Sequence, residues 1–361
     1  MPIPIPNTEI KIGEGLVFIV AEIGKNFIQT KEEKTTKEYL DNAKKLIKLA
    51  KESGANAVKF QTHNIEDEQL DININSPHFF GSDRYNWVKR NDSATPLEFW
   101  RELKKYSEEL GIIFFSTPMS RGAAIKLEKI NVPLWKVGSA DILDFVMLDY
   151  LRSTKKPIII SSGMSTLEEI DKAINFLQKR DSQIVLLHCV SKYPCPPEEL
   201  NLKTIEFFKK RYSIPIGFSD HSIGYESAVA AINIGATIIE KHFSLSRDLW
   251  GADHKVSMTP EEFEEMVKNI RDKKEVKLKD YGKEGKILQD GEAIFRPIFR
   301  KSLMAGQNIK NGTIITKKMV YAMRPQVYAG GLPSEEYEKV IGRKTKKDLN
   351  KYDPITYEVL D

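Results

Sequence analysis

Short runs of β-branched and aromatic residues alternate with longer amphipathic segments over residues 17–272. In the amphipathic segments the apolar residues recur at i, i+3, i+4 and i+7, the period of a helix with one buried face. In the first segment this face consists of Leu40, Ala43, Leu46, Ile47 and Ala50. The short runs predict strands at 17–21, 57–61, 112–116, 134–137, 157–160, 184–187, 214–218 and 237–240, and the segments predict helices that include 36–53, 96–110, 165–179, 224–234 and 259–272.

Eight predicted strands in alternation with helices favour a (β/α)₈ TIM barrel, an α/β fold with a closed parallel sheet. An open, doubly wound sheet uses similar strand–helix units and is the alternative architecture. The count of eight strands favours the barrel.

The residues that follow the last predicted helix have a different character. Residues 273–290 are rich in Lys, Gly and Asp and lack a hydrophobic period, which predicts a linker. Beyond them, short segments punctuated by turn residues predict a small β-rich module whose core is marginal alone, so we expect it to dock onto another surface. We therefore predict a barrel domain over 1–280, a linker over 281–295 and a small domain over 296–361.

Composition and charge narrow the functional classes. The chain has 55 Lys and Arg against 51 Asp and Glu, and this net charge of +4 gives no reason to invoke nucleic acid. Two cysteines, Cys189 and Cys195, exclude a disulfide framework and favour a reducing compartment. Residues 1–15 lack the pattern of a signal peptide, and no apolar stretch is long enough for a bilayer. We expect a cytoplasmic protein without a membrane partner.

Polar residues follow nearly every predicted strand, and in a barrel these strand ends converge on the face that carries the active site. Lys59 and Lys136 have apolar neighbours on both sides, which indicates burial rather than a surface position. Ammonium groups with nearby hydroxyls suit a phosphate and a carboxylate. The polar residues at or near the strand ends include Glu22, Lys59, Gln61, Thr117, Lys136, Ser139, Asp141, Ser161, Ser191, Tyr193, Ser219, His221 and His242.

Two histidines are candidate metal ligands. His221 and His242 end consecutive predicted strands, so their imidazoles could reach one ion. Added carboxylate, water or substrate oxygens would favour a hard ion such as Mn²⁺ or Mg²⁺. A hydrogen-bonded structural role for each histidine is the alternative.

At these residues the chain resembles the N-acetylneuraminate (sialic acid) synthases and their legionaminic and pseudaminic acid relatives. The tail, with Arg300-Lys301-Ser302 and Met323-Arg324-Pro325, resembles the antifreeze-like (SAF) domain of that family. The resembling motifs occur in order along the whole chain. They are Ala21-Glu22-Ile23-Gly24, Lys59-Phe60-Gln61-Thr62-His63, Phe115-Ser116-Thr117-Pro118, Lys136-Val137-Gly138-Ser139, Ser161-Ser162-Gly163-Met164, His188-Cys189 through Tyr193-Pro194, Ser219-Asp220-His221 and Glu240-Lys241-His242-Phe243.

The resemblance implies a synthase that condenses phosphoenolpyruvate with an N-acylated amino-sugar aldehyde. It implies a homodimer in which the small domains are swapped, so that Arg324 of the partner's tail reaches the sugar. It also implies that His221 and His242 bind Mn²⁺ or Mg²⁺, and Glu22 is the candidate for proton transfer. By the same match phosphoenolpyruvate is held by Lys59, Thr117, Lys136, Ser139, Ser161 and Ser219, and the sugar site is lined by Gln61, Tyr193 and Asp253.

Some positions depart from the family pattern. Family members commonly have His after the residue matched by Asn26, whereas this chain has Phe27, with Lys25 before the asparagine. Ser191 and Asp141 also stand where neuraminate synthases tend to have Asn and Glu. The type of nonulosonate, whether neuraminic, legionaminic or pseudaminic, therefore stays open.

Two other functions remain as alternatives. A phosphoenolpyruvate-dependent enzyme that condenses an aldose phosphate would need a second basic cluster for the acceptor's phosphate, and the sequence reveals none. A non-catalytic carbohydrate-binding protein would leave the polar strand ends without a purpose.

Overall fold

The computed structural model describes residues 1–72, 74 and 83–361. In this part of the chain, eight parallel strands stand in the order β5-β4-β3-β10-β9-β8-β7-β6, and β5 lies beside β6, so the sheet nearly closes into a barrel. The predicted barrel is confirmed, and the open-sheet alternative is wrong. The strands are β1 (Ile3–Pro4), β2 (Lys11–Ile12), β3 (Phe18–Gly24), β4 (Ala57–Thr62), β5 (Ile113–Pro118), β6 (Trp135–Val137), β7 (Ile158–Ser161), β8 (Ile184–Cys189), β9 (Ile216–Asp220), β10 (Ile238–His242), β11 (Ser302–Ala305) and β12 (Val320–Met323).

The helices of the barrel follow their strands and start at residues suited to the first turn. Thr35 and Glu38 form a capping box at the start of α1, and Thr259 with Glu262 does the same for α10. The helices are α1 (Thr36–Glu52), α2 (Ile65–Glu68), α3 (Arg84–Ala94), α4 (Leu97–Glu109), α5 (Arg121–Glu128), α6 (Phe145–Ser153), α7 (Leu167–Gln178), α8 (Lys203–Arg211), α9 (Glu226–Asn233), α10 (Pro260–Arg271), α11 (Asp290–Ala293), α12 (Arg296–Phe299), α13 (Gln326–Ala329) and α14 (Tyr337–Val340).

The barrel interior is divided along its axis into an apolar layer and a polar layer. In β3, Phe18 and Val20 belong to the interior apolar cluster, and Glu22, two residues further, lines a cavity. Because side chains on one face of a strand recur every second residue, the same row continues from the core into the cavity. The β1–β2 hairpin closes the opposite end by adding Ile3, Ile5 and Ile12 to the apolar cluster. The polar layer therefore rests on a packed floor.

The tail docks on the barrel of its own chain. Residues 274–289 contain neither helix nor strand, and the segment is long enough to lead from α10 to the barrel mouth. In the tail, β11 pairs with β12 in a two-stranded antiparallel sheet, supplemented by isolated bridges and short helices. Lys301 anchors it through ion pairs with Asp141 at 3.0 Å and Asp144 at 2.7 Å. The expected docking is confirmed, and the predicted domain boundaries stay predictions.

Nowhere in residues 1–72, 74 and 83–361 is there a helix with the length and apolar character that crossing a bilayer requires. The predicted cytoplasmic location stays a prediction.

Candidate active site

A cavity of about 440 Å³ opens at the carboxyl ends of the barrel strands. Every residue that the sequence analysis proposed for substrate or metal lines it, although what each residue binds stays a prediction. These lining residues are Glu22, Lys59, Gln61, Thr117, Lys136, Ser139, Asp141, Ser161, Ser191, Tyr193, Ser219, His221, His242, Asp253 and Arg324.

Two buried lysines form a cationic region at the cavity floor. Lys59 Nζ lies 2.7 Å from Glu22 Oε2 and donates to Thr117 Oγ1 at 3.1 Å. Lys136 Nζ donates to Ser161 Oγ at 2.7 Å. Burial opposes the charged form of Lys59, but the carboxylates of Glu22 and Glu240 outweigh it and raise its pKa, whereas burial lowers the pKa of Lys136.

The carboxylate of Glu240 lies between these lysines, a position that the sequence analysis did not assign. Its Oε1 lies 3.6 Å from Lys59 Nζ and 3.7 Å from Lys136 Nζ, and it accepts a hydrogen bond from Ser219 Oγ at 3.0 Å. Burial acts to raise its pKa, but Lys136 and Lys59 outweigh burial and lower it to about 2. The signal was in the sequence, because Glu240 lies two residues before His242 and so shares its face of β10.

The pKa of Glu22 is shifted upward, in the direction opposite to that of Glu240. Burial raises its pKa to about 7, against the opposing charge of Lys59, and Gln61 Nε2 donates to its Oε1 at 3.0 Å. A carboxyl group with a pKa near neutrality can either hold or accept a proton, as a general acid or base requires.

His221 and His242 lie side by side, as predicted, with ring centroids 5.5 Å apart. His221 Nδ1 donates to the Val190 carbonyl at 2.8 Å, which leaves Nε2 as the ligating nitrogen. Burial lowers the pKa of His242 to about 4, so its imidazole is neutral at neutral pH, and its buried Nδ1 has no hydrogen-bond partner among the residues that the structure describes. At His221 burial acts to lower the pKa, but Cys189 and the Val190 carbonyl outweigh burial and raise it.

These two imidazoles fit a divalent ion as part of its coordination. Within the described residues no group of three or more His, Cys, Asp or Glu side chains is arranged around one ion. Water or substrate oxygens would therefore have to complete the coordination sphere, which is the arrangement of a catalytic rather than a structural site.

A second charged cluster, which the sequence analysis did not find, lies where the tail meets the barrel mouth. His63 Nδ1 donates to Glu68 Oε2 at 2.6 Å, and Arg84 Nη2 lies 3.4 Å from Glu68 Oε1. Arg324 forms an ion pair with Asp141, and its backbone N–H donates to the Glu68 carbonyl at 3.0 Å. The members come from the loop after β4, from α2 and α3, from the turn after β6 and from the tail, so no single local sequence pattern joins all of them.

Arg324 was expected from the tail of a partner subunit. In this structure the tail of the same chain brings it to the cavity, because residues 274–289 reach from α10 to the barrel mouth. A swap is not needed to place the guanidinium there, and the swapped dimer stays a prediction.

Glu292, in the predicted linker, holds two loops of the cavity wall. It is fully buried, and its Oε1 accepts the backbone N–H groups of Met164 at 2.9 Å and Ser191 at 2.8 Å. The first loop follows Ser161, the last residue of β7, and the second follows β8 and carries Ser191. A Cβ on Gly163 would overlap the hydroxyls of Ser139 and Ser191, so a larger residue there would force these side chains to move.

The fold and this cavity define a (β/α)₈-barrel protein whose polar strand ends face a C-terminal cap. The model of the NeuB family matches residues 46–280, and that of the SAF domain matches residues 300–360. The chain belongs to the NeuB family and, like its named relatives, is a synthase, an enzyme of the transferase class.

Three comparisons illustrate this relation. The N-acetylneuraminate-9-phosphate synthase of Homo sapiens is 32% identical over 97% of this chain and 94% of its own length. The pseudaminic acid synthase of Campylobacter jejuni is 32% identical over 92% of this chain and 93% of its own length. The crystal structure of the spore coat polysaccharide biosynthesis protein spsE from Bacillus subtilis aligns with a TM-score of 0.80 and 28% identity, over 100% of this chain and 99% of that one.

Proposed function

We propose that this enzyme condenses phosphoenolpyruvate with the open-chain form of an N-acylated amino sugar, giving a sialic-acid-type nonulosonate and phosphate. The observation that carries the proposal is the buried pair Lys59 and Lys136, which faces one cavity together with His221 and His242. The names of the relatives, which make sialic, pseudaminic and legionaminic acids, support the same product class.

The lysine region is the proposed site for phosphoenolpyruvate. Lys59 and Lys136 would each donate to its phosphate or carboxylate, helped by the hydroxyls of Thr117, Ser139, Ser161 and Ser219. Glu240 lies between the two ammonium groups, and its carboxylate favours their charged form. The phosphoenolpyruvate trianion would compete with this carboxylate for the two lysines.

The sugar is proposed to lie above the phosphoenolpyruvate, toward the tail. Gln61, Tyr193 and Asp253 line the cavity and are the proposed contacts of the sugar. Arg324 is proposed to contact the acylamino group, and its ion pair with Asp141 fixes the guanidinium for that task. Asp141 thus acts on the sugar chiefly through Arg324.

We propose Mn²⁺ or Mg²⁺ at His221 and His242. When bound, such an ion would supply Lewis-acid polarisation of the acceptor's carbonyl oxygen. Tyr193 packs against both imidazoles, with its ring centroid 4.0 Å from that of His221 and 6.0 Å from that of His242, and so restrains their orientation.

The proposed reaction joins C3 of phosphoenolpyruvate to the aldehyde carbon. Water adds at the resulting cationic C2, and the phosphate leaves with cleavage of its bond to C2, so that substrate, acceptor and water account for all atoms of the products. Lys59 and Lys136 stabilise the departing phosphate. Glu22, with a pKa of about 7, can take the proton that the attacking water loses.

A substrate panel tests this function. The enzyme is assayed with phosphoenolpyruvate, Mn²⁺ and either N-acetylmannosamine or a diacetamido-dideoxy hexose, and phosphate release is followed with product mass. We expect release only when both substrates are present. Absence of release with every amino sugar would contradict the proposal, and release with arabinose 5-phosphate would favour the aldose-phosphate condensing enzyme.

A further inference from the structure

Lys25 is a cation of the cavity that the proposed reaction does not use. It follows Gly24, the last residue of β3, and its side chain is half-buried in the cavity wall. Its Nζ lies 5.5 Å from the centre of the Trp87 ring, and among the described residues it has neither a hydrogen bond nor an ion pair. A positive charge in a partly dehydrated wall is costly unless an anion or a dipole compensates it.

Its cationic neighbours are compensated. Arg84 has Glu68 at 3.4 Å, and Arg324 is paired with Asp141. Lys301 has Asp141 at 3.0 Å and Asp144 at 2.7 Å. These three cations are therefore held in direct ion pairs, whereas the carboxylates of Glu68 and Asp253 act on Lys25 without an ion pair to it.

Lys25 belongs to the tail end of the cavity rather than to the phosphoenolpyruvate end. Its Nζ lies beside the ring of Trp87 in α3, the helix that begins at Arg84 of the charged cluster. Lys136 instead donates to Ser161 at the cavity floor. Burial lowers the pKa of Lys25 to about 7. A ligand atom beside Lys25 would lie away from the reacting carbonyl, on the far part of the acceptor.

We propose that Lys25 binds an anionic group, a phosphate monoester or a carboxylate, at the end of the acceptor sugar remote from its reacting carbonyl. This inference rests on the proposed function and narrows its substrate class. An ammonium group with three donors suits either anion, whereas hydroxyl and acylamino groups are served by neutral donors and acceptors. The sequence revealed no second basic cluster for an acceptor's phosphate, and in the described part of the chain the fold supplies one cation, Lys25, without an ion pair in the cavity wall.

The experiment compares three acceptors with the wild type and two variants. The acceptors are N-acetylmannosamine, its 6-phosphate and the corresponding 6-carboxylate, and kcat/KM is measured from phosphoenolpyruvate consumption at fixed Mn²⁺. Lys25→Met removes the cation, and Lys31→Met is the matched control, since Lys31 is exposed. Because a charge-assisted hydrogen bond is involved, we expect the wild type to prefer one of the anionic acceptors, and Lys25→Met to lower that preference by about 10- to 100-fold.

The outcomes are separable. Equal or better use of the neutral acceptor by the wild type overturns the inference, as does an unchanged anion preference in Lys25→Met. If the 6-phosphate is preferred the anion is a phosphate monoester, and if the 6-carboxylate is preferred it is a carboxylate. Lys25→Gln replaces Lys25→Met if the latter does not fold. Failure of the proposed function is different, because then no amino sugar supports consumption of phosphoenolpyruvate in any of the proteins.

Discussion

Lys136 shows how one residue couples the fold to the proposed chemistry. Lys136 lies two residues after Leu134 of the interior apolar cluster, so its side chain faces the inside of the barrel. Unlike a surface lysine, it is buried. Keeping an ammonium group there costs desolvation, which the burial-lowered pKa records. Such a position is stable because Ser161 and Glu240 provide oxygen partners.

Replacement of this residue is the first prediction. In Lys136→Ala we expect kcat/KM for phosphoenolpyruvate to fall by about 10²–10³-fold or more, since a preorganised cationic donor to the phosphate is lost. Thermal unfolding should show that the fold persists. Lys129→Ala, at an exposed position, is the control for loss of a lysine. Near-wild-type turnover in Lys136→Ala would refute the phosphate role.

His63 carries a prediction on pH. Burial lowers its pKa to about 4, below the value of 6.5 in an unfolded chain. Between these two values the unfolded state binds more protons than the folded state, so the free energy of unfolding falls as the pH falls from 6.5 to 4. This single group contributes up to about 3 kcal/mol to that fall.

The test compares the wild type with His63→Gln, whose side-chain amide can still donate to Glu68. Chemical unfolding at several pH values between 6.5 and 4 should show a shallower pH dependence in the variant, by one proton at most. Burial also lowers the pKa values of His188 and His242, so both proteins should still lose stability as the pH falls, through these two groups. Identical slopes in the two proteins would contradict the assignment.

At the scale of elements, α11 connects the barrel to the tail and at the same time supports the cavity. The carboxylate of Glu292 reaches back from this short helix to the loops after β7 and β8. Lys286 Nζ lies 4.0 Å from its other oxygen. The segment therefore fixes the loop that follows Ser161 of the proposed phosphate site and the loop that carries Ser191.

Glu292→Ala is expected to raise the KM for phosphoenolpyruvate by about 10-fold, since two buried N–H groups lose their acceptor. The KM for the sugar should rise as well, because the loop after β8 that Glu292 holds also carries Tyr193. Glu292→Gln should retain most of the wild-type behaviour, as its carbonyl oxygen can accept both hydrogen bonds. Equal damage by Gln and Ala would mean that charge, rather than loop position, is what matters.

The sequence allowed the barrel to be predicted because its signals are local. Runs of β-branched and aromatic residues located each strand to within a few residues, and the polar residues that follow these runs were predicted to converge at one face of the barrel. The cluster of Glu68, Arg84 and Arg324 could not be predicted, because Glu68 and Arg84 belong to different helices and Arg324 reaches them only when the tail docks. Glu292 was missed for another reason, as a buried carboxylate in a segment without hydrophobic period resembles an exposed linker.

At the scale of the whole molecule, the tail that covers a barrel can belong to the same chain or to the partner subunit. Every contact described between tail and barrel could also form between two subunits, since a swap preserves the interface and changes only the path through residues 274–289. The proposed swapped homodimer therefore has the same local site as the single chain. It differs in which subunit provides Arg324.

Complementation between two inactive variants distinguishes these arrangements. Lys136→Ala damages the barrel and Arg324→Ala damages the tail, and the two are co-expressed under different tags so that mixed dimers can be isolated. In a swapped mixed dimer, one site combines an intact barrel with an intact tail, so we expect about half of the wild-type activity per dimer. If the tail serves its own barrel, each site of the mixed dimer carries one damaged part, and activity stays at the level of the single variants. Mixed dimers without activity would thus replace the swapped arrangement by the intrachain docking of Arg324 against Asp141.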